Sequence, residues 1–207
     1  MNETNERVVL VDEDDREKGA GPKLGVHRDG TLHRAFSIFV FDAAGRTLVQ
    51  RRANQKYHSG GLWANTCCGH PRPGESIGGA AVRRLEEELG FRTPLTSSFH
   101  ARYRADLDRG MIENEYVHVF FGQSSKLPRP EATEVQDFAY LGLEDLRDGT
   151  GIPRSQQTIW LRHYLDMHFP ELLEMRERSG LATLSSVSSD NRSSERDKNT
   201  WPARFQG

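Results

Sequence analysis

The chain has 207 residues, 35% hydrophobic and 28% charged, a length that accommodates one well-cored domain. A formal net charge of -2 provides no global basic field for nucleic acid, so any anionic partner must be held by local groups. The ligand expected is a small charged molecule, with no obligate protein partner implied.

No apolar run reaches the roughly 20 residues a membrane-crossing helix requires, so no membrane association is expected and the location expected is cytoplasmic. Only two cysteines occur, Cys67 and Cys68. Neighbours in sequence are poorly placed for an ordinary disulfide, which leaves them thiol chemistry or no chemistry at all. The mean hydropathy of -0.71 points to an uncored polar part. It is found from Ser179 onward, where SGLATLSSVSSDNRSSERDKNTWPARFQG carries no apolar periodicity. A single domain is expected over residues 1–178, with its first few residues flexible, followed by a disordered extension over 179–207.

In chain order, Val8 to Val11 is a short apolar run suited to an edge or opening strand. The acidic, glycine-rich stretch Asp12 to Gly25 reads as a loop. AFSIFVFD (Ala35 to Asp42), the turn at Ala44-Gly45 and TLVQRR (Thr47 to Arg52) form a hairpin pattern. A polar segment then leads to CCGH at Cys67 to His70 and to the turn-forming PRPGE.

Ile77, Ala81, Leu85 and Leu89, with Val82 beside them, make one apolar helical stripe. Ser76 is placed as its N-cap and Gly90 as its stop. In FHARYRADL, Phe99, Ala101, Tyr103, Ala105 and Leu107 alternate with polar residues, which puts Tyr103 on the covered face of a strand. IENEYVHVFFG reads as its partner, with Glu113, Glu115, Val117, Val119 and Phe121 on one side. FAYLGL (Phe138 to Leu143) reads as a further strand. EDLRDG and QQTIWLRHYLDMHF read as helices, the second bent or ended by Pro170. Without internal repeats or a βαβ rhythm, these elements predict an α+β fold, a mixed β-sheet sandwich flanked by helices.

Glu86, Glu87 and Glu88 crowd the last turn of their helix, where the macrodipole favours cations. Arg83 and Arg84 can pair with Glu87 and Glu88, and a bound divalent cation would also satisfy them. Elsewhere, His27, His33 and His70 with Glu113 and Glu115 form a nitrogen and oxygen set suited to a divalent ion. The two strand glutamates stand roughly 7 Å apart on one face. Spacing alone does not bring the five together.

The segment Gly69 to Phe91 resembles a Nudix box, G-x5-E-x7-R-E-U-x-E-E-x-G-U with U apolar. Gly69, Glu75, Arg83, Leu85, Glu87, Glu88, Gly90 and Phe91 match it, while Arg84 stands where Nudix hydrolases have a metal-holding glutamate. The motifs LHRAFSIFVF, RRANQK, GLWANTCCGHP, RRLEEELG, RYRA and ENEYVHVF together resemble type I isopentenyl diphosphate isomerases, a Nudix-fold family. The likeness runs from His27 to Phe120 and, more weakly, to about Trp160.

The resemblance implies convergence: His27, His33, His70, Glu113 and Glu115 would bind an active-site metal, Mn²⁺ or Mg²⁺ foremost, with Zn²⁺ also suited. Cys68 and Glu115 would be the acid and base of an allylic proton shift. Glu115 with Tyr103 would protonate the alkene, and the Cys68 thiolate would take the other proton. Cys67 lacks the C-G-H context and is assigned to packing.

The resemblance also has Arg52, Lys56 and Arg84 contact a diphosphate, Glu88 hold Mg²⁺ against it, and Trp160 offer an aromatic face to a carbocation. The family's proline before that tryptophan is Ile159 here, and Trp63 is the alternative aromatic. Two other readings compete: a Nudix hydrolase of a nucleoside diphosphate derivative, and a non-catalytic Nudix-like binding module.

Overall fold

The computed structural model describes residues 6–180. β1 (Arg7–Val11) pairs antiparallel with β2 (Glu17–Pro22), and α1 (Lys23–Asp29) follows at once. The stretch expected as a loop thus holds an edge strand and a short helix. Glycines and acidic side chains hide the signal there, because the strand gains its order from pairing along β1 and has little apolar face of its own. β1, expected as an edge or opening strand, lies between β2 and β3 (His33–Phe41).

β4 (Thr47–Arg52) meets β3 only at Phe41 and Thr47, next to the turn, so the expected hairpin opens immediately. Its further partners are β5 (Trp63–Ala64) and β9 (Val135–Leu141). β3 pairs instead with β6 (Cys67–Gly69) on one edge and, in parallel, with β8 (Ile112–Gln123) on the other. β7 (Thr96–Asp106) closes that side antiparallel to β8. A tight turn at Asp108–Gly110 joins these two strands, with Arg109 in the left-handed region at φ 57°.

α2 (Ile77–Leu89) follows its sequence signature. The Ser76 hydroxyl accepts the Gly79 N–H at 3.2 Å, and Ala81, Leu85 and Leu89 are buried. Gly90 ends the helix at φ 70°, where a Cβ would come within 2.7 Å of the Arg129 carbonyl oxygen; only glycine fits both demands. α3 (Leu143–Asp148) begins where the last strand was expected to continue, since β9 starts and ends earlier than FAYLGL. α4 (Ile159–Met167) ends before Pro170, and helical backbone resumes over residues 169–180 with proline in its first turn, where its missing N–H costs nothing. The extension expected from residue 179 lies beyond residue 180 outside the described residues. Its first member, Ser179, is helical and buried.

Strand parity divides the interior. Even-numbered Phe36, Ile38 and Val40 of β3 pack with Cys67 against Ala80, Ala81, Leu85 and Leu89 of α2. Odd-numbered Ala35, Phe39 and Phe41, with Val117, Val119 and Phe121 of β8, pack beneath Leu161, Tyr164 and Leu165 of α4 and Leu172 and Met175 beyond it. At about 25 cal/mol per Å² of apolar area, each large side chain buried here contributes about 1.5–3 kcal/mol. A one-residue slip of β8 would therefore turn both its apolar set and its glutamates the wrong way.

Candidate active site

The same parity builds the site. β3 and β8 run parallel in register, with His33 opposite Glu115, while β7 sets Tyr103 opposite Glu115 and β6 sets Cys68 opposite Ser37. Paired residues in neighbouring strands point to the same face. His33, Ser37, Cys68, Tyr103, Glu113 and Glu115 therefore share the face below α4. α1 brings in His27, and the chain leaving β6 brings His70.

The three imidazoles and two carboxylates converge. His33 Nε2 lies 3.2 Å from His70 Nε2 and 3.6 Å from Glu115 Oε1; His70 Nε2 lies 2.8 Å from that oxygen; His27 Nε2 is 3.4 Å from Glu113 Oε2. The donor atoms of His27, His33, His70 and Glu115 all stand within 4.8 Å of one another.

Second contacts fix the ring tautomers. His27 Nδ1 donates to the Lys23 carbonyl and His33 Nδ1 to the Thr31 carbonyl, each at 2.8 Å. A carbonyl oxygen only accepts, so in each neutral ring the Nε2 lone pair is turned inward. Glu113 Oε2 is buried and has no hydrogen-bond partner. Crowded lone pairs and an unsatisfied buried carboxylate oxygen are what a divalent cation would relieve, and the nitrogen and oxygen donor set fits one.

Burial opposes charge on His27, yet the Glu113 carboxylate outweighs it and raises the imidazole pKa. Burial, then the charges of His33 and His27, hold His70 well below the ordinary histidine range. Burial pushes Glu115 upward, but hydrogen bonding from His33, the charges of His33 and His27 and the Tyr103 hydroxyl keep its pKa lowered. The Tyr103 hydroxyl donates to Glu115 Oε2 at 2.8 Å, and burial and Glu115 hold its own pKa well above the usual phenol range.

Cys68 sits in a directed chain of hydrogen bonds. The buried Tyr164 hydroxyl donates to Ser37 Oγ at 2.9 Å, which leaves the Ser37 proton for Cys68 Sγ at 3.4 Å; the Cys68 S–H donates to Asn65 Oδ1 at 3.1 Å. Asn65 Nδ2 donates to the Ile38 carbonyl at 3.0 Å, which fixes the amide's orientation. Burial, with Glu115 adding to it against the Ser37 and Asn65 hydrogen bonds, pushes the thiol up to about 12. Burial thus favours the thiol form at Cys68, where the family resemblance implies a thiolate as proton acceptor. Cys67 points to the other face, fully buried against α2.

One pocket is lined by Cys68, Tyr103, Glu113, Glu115, His70 and Trp160 together with Arg52, Lys56, Arg84 and Glu88; His27 and His33 are wholly buried behind it. Glu88 stands apart from the imidazole cluster. It accepts from Arg84 at 2.6 Å and from Gln50 at 2.8 Å, and Arg84 also reaches Glu134, which holds Lys56 at 2.9 Å. The last-turn carboxylates of α2 thus already have protein cations beside them, and Glu75 grips Arg83 with both oxygens at 2.7 and 2.8 Å. Trp160 lies in the wall with the Arg52 guanidinium 5.1 Å from its ring. Trp63 is a packing residue at the β5 edge and does not line the pocket.

The sequence reading missed Glu6, Lys23, Ser37, Tyr57, His58 and Glu134 of the pocket wall. Lys23 had a signal, since it precedes His27 by one helical turn. The others had none, being isolated polar residues in loops or in an apolar strand.

A family model for the NUDIX domain matches residues 31–161. Among solved structures, a protein from Deinococcus radiodurans superposes with a TM-score of 0.62 at 19% identity, covering 77% of this chain and 97% of that one. The MutT protein of Methanosarcina mazei gives 0.56 at 16% identity, over 68% and 94%. Likeness at that identity speaks to the fold. Sequence relatives are much nearer. The chain is 47% identical over 161 residues to isopentenyl-diphosphate Delta-isomerase 1 of Aromatoleum aromaticum, covering 78% of this chain and 91% of that protein. It is 44% identical over 179 residues to the isopentenyl-diphosphate Delta-isomerase of Burkholderia multivorans, covering 86% and 96%. With the Nudix fold and this degree of identity over most of its length, the chain belongs to the isopentenyl-diphosphate Delta-isomerase family.

Proposed function

We propose that the chain interconverts isopentenyl diphosphate and dimethylallyl diphosphate by an allylic proton shift in the pocket below α4. The observation that carries this reading is the presence, in one pocket, of a cysteine thiol and a tyrosine-bonded glutamate beside a cluster of imidazoles and carboxylates. The reaction adds a proton to the terminal carbon of the alkene and removes one two carbons away, through a tertiary cation. It needs a proton carrier on each side. Glu115 with Tyr103 serves one side and Cys68 the other. The reaction is reversible, so each carrier gives a proton in one direction and takes it in the other.

His27, His33, His70, Glu113 and Glu115 would hold a divalent ion, Mn²⁺ or Mg²⁺ foremost and Zn²⁺ also suited to these donors. Such an ion would supply positive charge that makes the Glu115 carboxyl a stronger acid. Tyr103 orients that carboxyl, and Ser37 and Asn65 orient the sulfur. Trp160 gives the wall an aromatic surface that favours a cation without attacking it.

Arg52, Lys56 and Arg84 are the cations for the diphosphate, and Glu88 the carboxylate for an accompanying Mg²⁺. Lys56 and Arg84 share Glu134, so a diphosphate entering there competes with that carboxylate for them. The hydrolase reading lacks its box glutamate, since Arg84 occupies the position. A binding module leaves the paired Cys68 and Glu115 without a use.

The test is incubation of the purified protein and Mn²⁺ or Mg²⁺ with isopentenyl diphosphate in heavy water, followed by NMR. Dimethylallyl diphosphate carrying deuterium in a methyl group is the expected product. Phosphate release from nucleoside diphosphate derivatives with no isomerisation would return the protein to the hydrolases, and neither reaction would leave it a binding module.

A further inference from the structure

Tyr164 is wholly buried, yet it carries a polar group into the core. It lies on α4 one helical turn after Trp160, so one face of the helix supplies both the aromatic wall of the pocket and this phenol. Phe39 meets its ring edge-on with centroids 5.5 Å apart, and Phe99 does so at 6.4 Å. A ring enclosed this way has little freedom to turn. Its hydroxyl lies 2.9 Å from Ser37 Oγ, the one hydrogen-bond partner it has among the described residues.

That contact sets the order of two protons. Burial, with the Cys68 sulfur adding to it, holds the Tyr164 phenol well above the usual range, so the group stays a donor. Ser37 also has one proton, and its hydroxyl faces the Tyr164 oxygen on one side and Cys68 Sγ at 3.4 Å on the other. If Ser37 donated to Tyr164, the buried phenol proton would be left without an acceptor, which is unfavourable. The phenol therefore donates to the serine, and the serine proton is directed at the sulfur.

The other neighbour of the sulfur cannot replace that donor. Asn65 Oδ1, 3.1 Å from Cys68 Sγ, accepts the thiol proton, while Asn65 Nδ2 donates to the Ile38 carbonyl at 3.0 Å and the Cys67 carbonyl at 3.4 Å. Turning the amide over would break both of those bonds. When the sulfur takes a proton from the substrate, a C–H bond breaks, its electron pair enters the new double bond and an S–H bond forms. Before that event the sulfur carries negative charge and faces an Asn65 oxygen that can only accept. Ser37 then gives it the one directed side-chain donor found among the described residues, and a hydrogen bond to a charged acceptor is among the stronger kinds.

We propose that Tyr164 is a positioning residue for the allylic proton shift, whose hydroxyl locks the Ser37 proton onto Cys68 Sγ so that the sulfur has a partner both with and without its own proton. This rests on the reading of Cys68 as a proton carrier. Tyr164 does not line the pocket and acts through Ser37.

The test is a double-mutant cycle on the full-length protein, read by steady-state isomerisation of isopentenyl diphosphate with Mn²⁺ or Mg²⁺ present. Ser37→Ala is expected to lower kcat about 10- to 100-fold with KM little changed, the scale of one hydrogen bond to a charged group. Tyr164→Phe is expected to lower kcat about 2- to 10-fold, again with KM little changed, and to have no further effect once Ser37 is replaced by alanine. An equal loss in both backgrounds would overturn the proposal, since a packing role for the ring does not depend on Ser37. An unchanged kcat in Tyr164→Phe would do the same. Neutron diffraction from wild-type crystals grown in heavy water needs no variant to fold. The Tyr164 deuterium is expected toward Ser37 Oγ and the Ser37 deuterium toward Cys68 Sγ, and a Ser37 deuterium aimed at Tyr164 would overturn the proposal. Absence of isomerisation by the wild type would instead remove the reading of Cys68 on which the proposal rests.

Discussion

Two polar regions meet in the same pocket and are balanced in opposite ways. At α2, every cation has its anion: Arg83 with Glu75, Arg84 with Glu88 and Glu134, Lys56 with Glu134. Where β3 and β8 run side by side, imidazole lone pairs face carboxylates, and Glu113 keeps an oxygen with no partner. The first region is a network of paired charges. The second is short of positive charge. The carboxylates of the helix that carries the Nudix box are thus paired with arginines, and the unsatisfied carboxylate oxygen lies on the strands.

The comparison breaks most sharply at the reacting groups. Cys68→Ala and Glu115→Gln are each expected to lower kcat about 10³-fold or more, the scale on which a positioned acid or base acts. Cys67→Ala, on the α2 side of β6, is expected to leave kcat essentially unchanged. Steady-state kinetics checks both, and the reverse pattern for the two cysteines would place the chemistry on the wrong face of the sheet.

A smaller effect is expected at the network of paired charges. Arg84→Gln removes one charge-assisted contact to the diphosphate, worth about 1.5–3 kcal/mol, so KM should rise about 10-fold or more with a lesser change in kcat. A loss confined to kcat would show that Arg84 acts on the reacting carbons and that the two regions are not separate in function.

The smallest effect concerns pH. Burial raises the pKa of both thiols, that of Cys68 to about 12 from an ordinary 9.0 and that of Cys67 well above the same value. A folded-state pKa above the unfolded one means that the folded protein retains protons the unfolded chain loses. The stabilisation is complete below pH 9 and disappears as pH rises toward 12. Thermal melts should fall across that window, and the fall should be shallower in Cys68→Ala. Alkylation of native Cys68 should likewise stay slow at neutral pH. Fast neutral alkylation would mean a stabilised thiolate.

What was legible in the sequence follows from what imposes a period on it. α2 could be read from Ser76 to Gly90 because one face packs on a core and both ends need particular caps. β7 and β8 could be read because alternate residues are covered, and the same alternation puts Tyr103 on the covered face of one strand and Glu113 and Glu115 together on one side of the other. α1 and β2 could not: their order comes from pairing with β1 and from contacts to β8, with little apolar pattern in Glu17 to Asp29. The helix over residues 169–180 was hidden because Pro170 reads as an ending, although it is equally a beginning. Family motifs named His27, His33 and His70, but convergence rests on strand register, which single residues do not reveal. His58 and Ser37 carried no local signal, since each is an isolated polar residue whose meaning depends on partners far along the chain.

The most direct measurement is the anomalous Mn²⁺ signal in crystals of the protein soaked with a limiting amount of the ion. The account predicts the first and strongest peak among His27, His33, His70, Glu113 and Glu115. A first peak at Glu87 and Glu88 of α2, with none among the imidazoles, would contradict it and restore the metal to the helix.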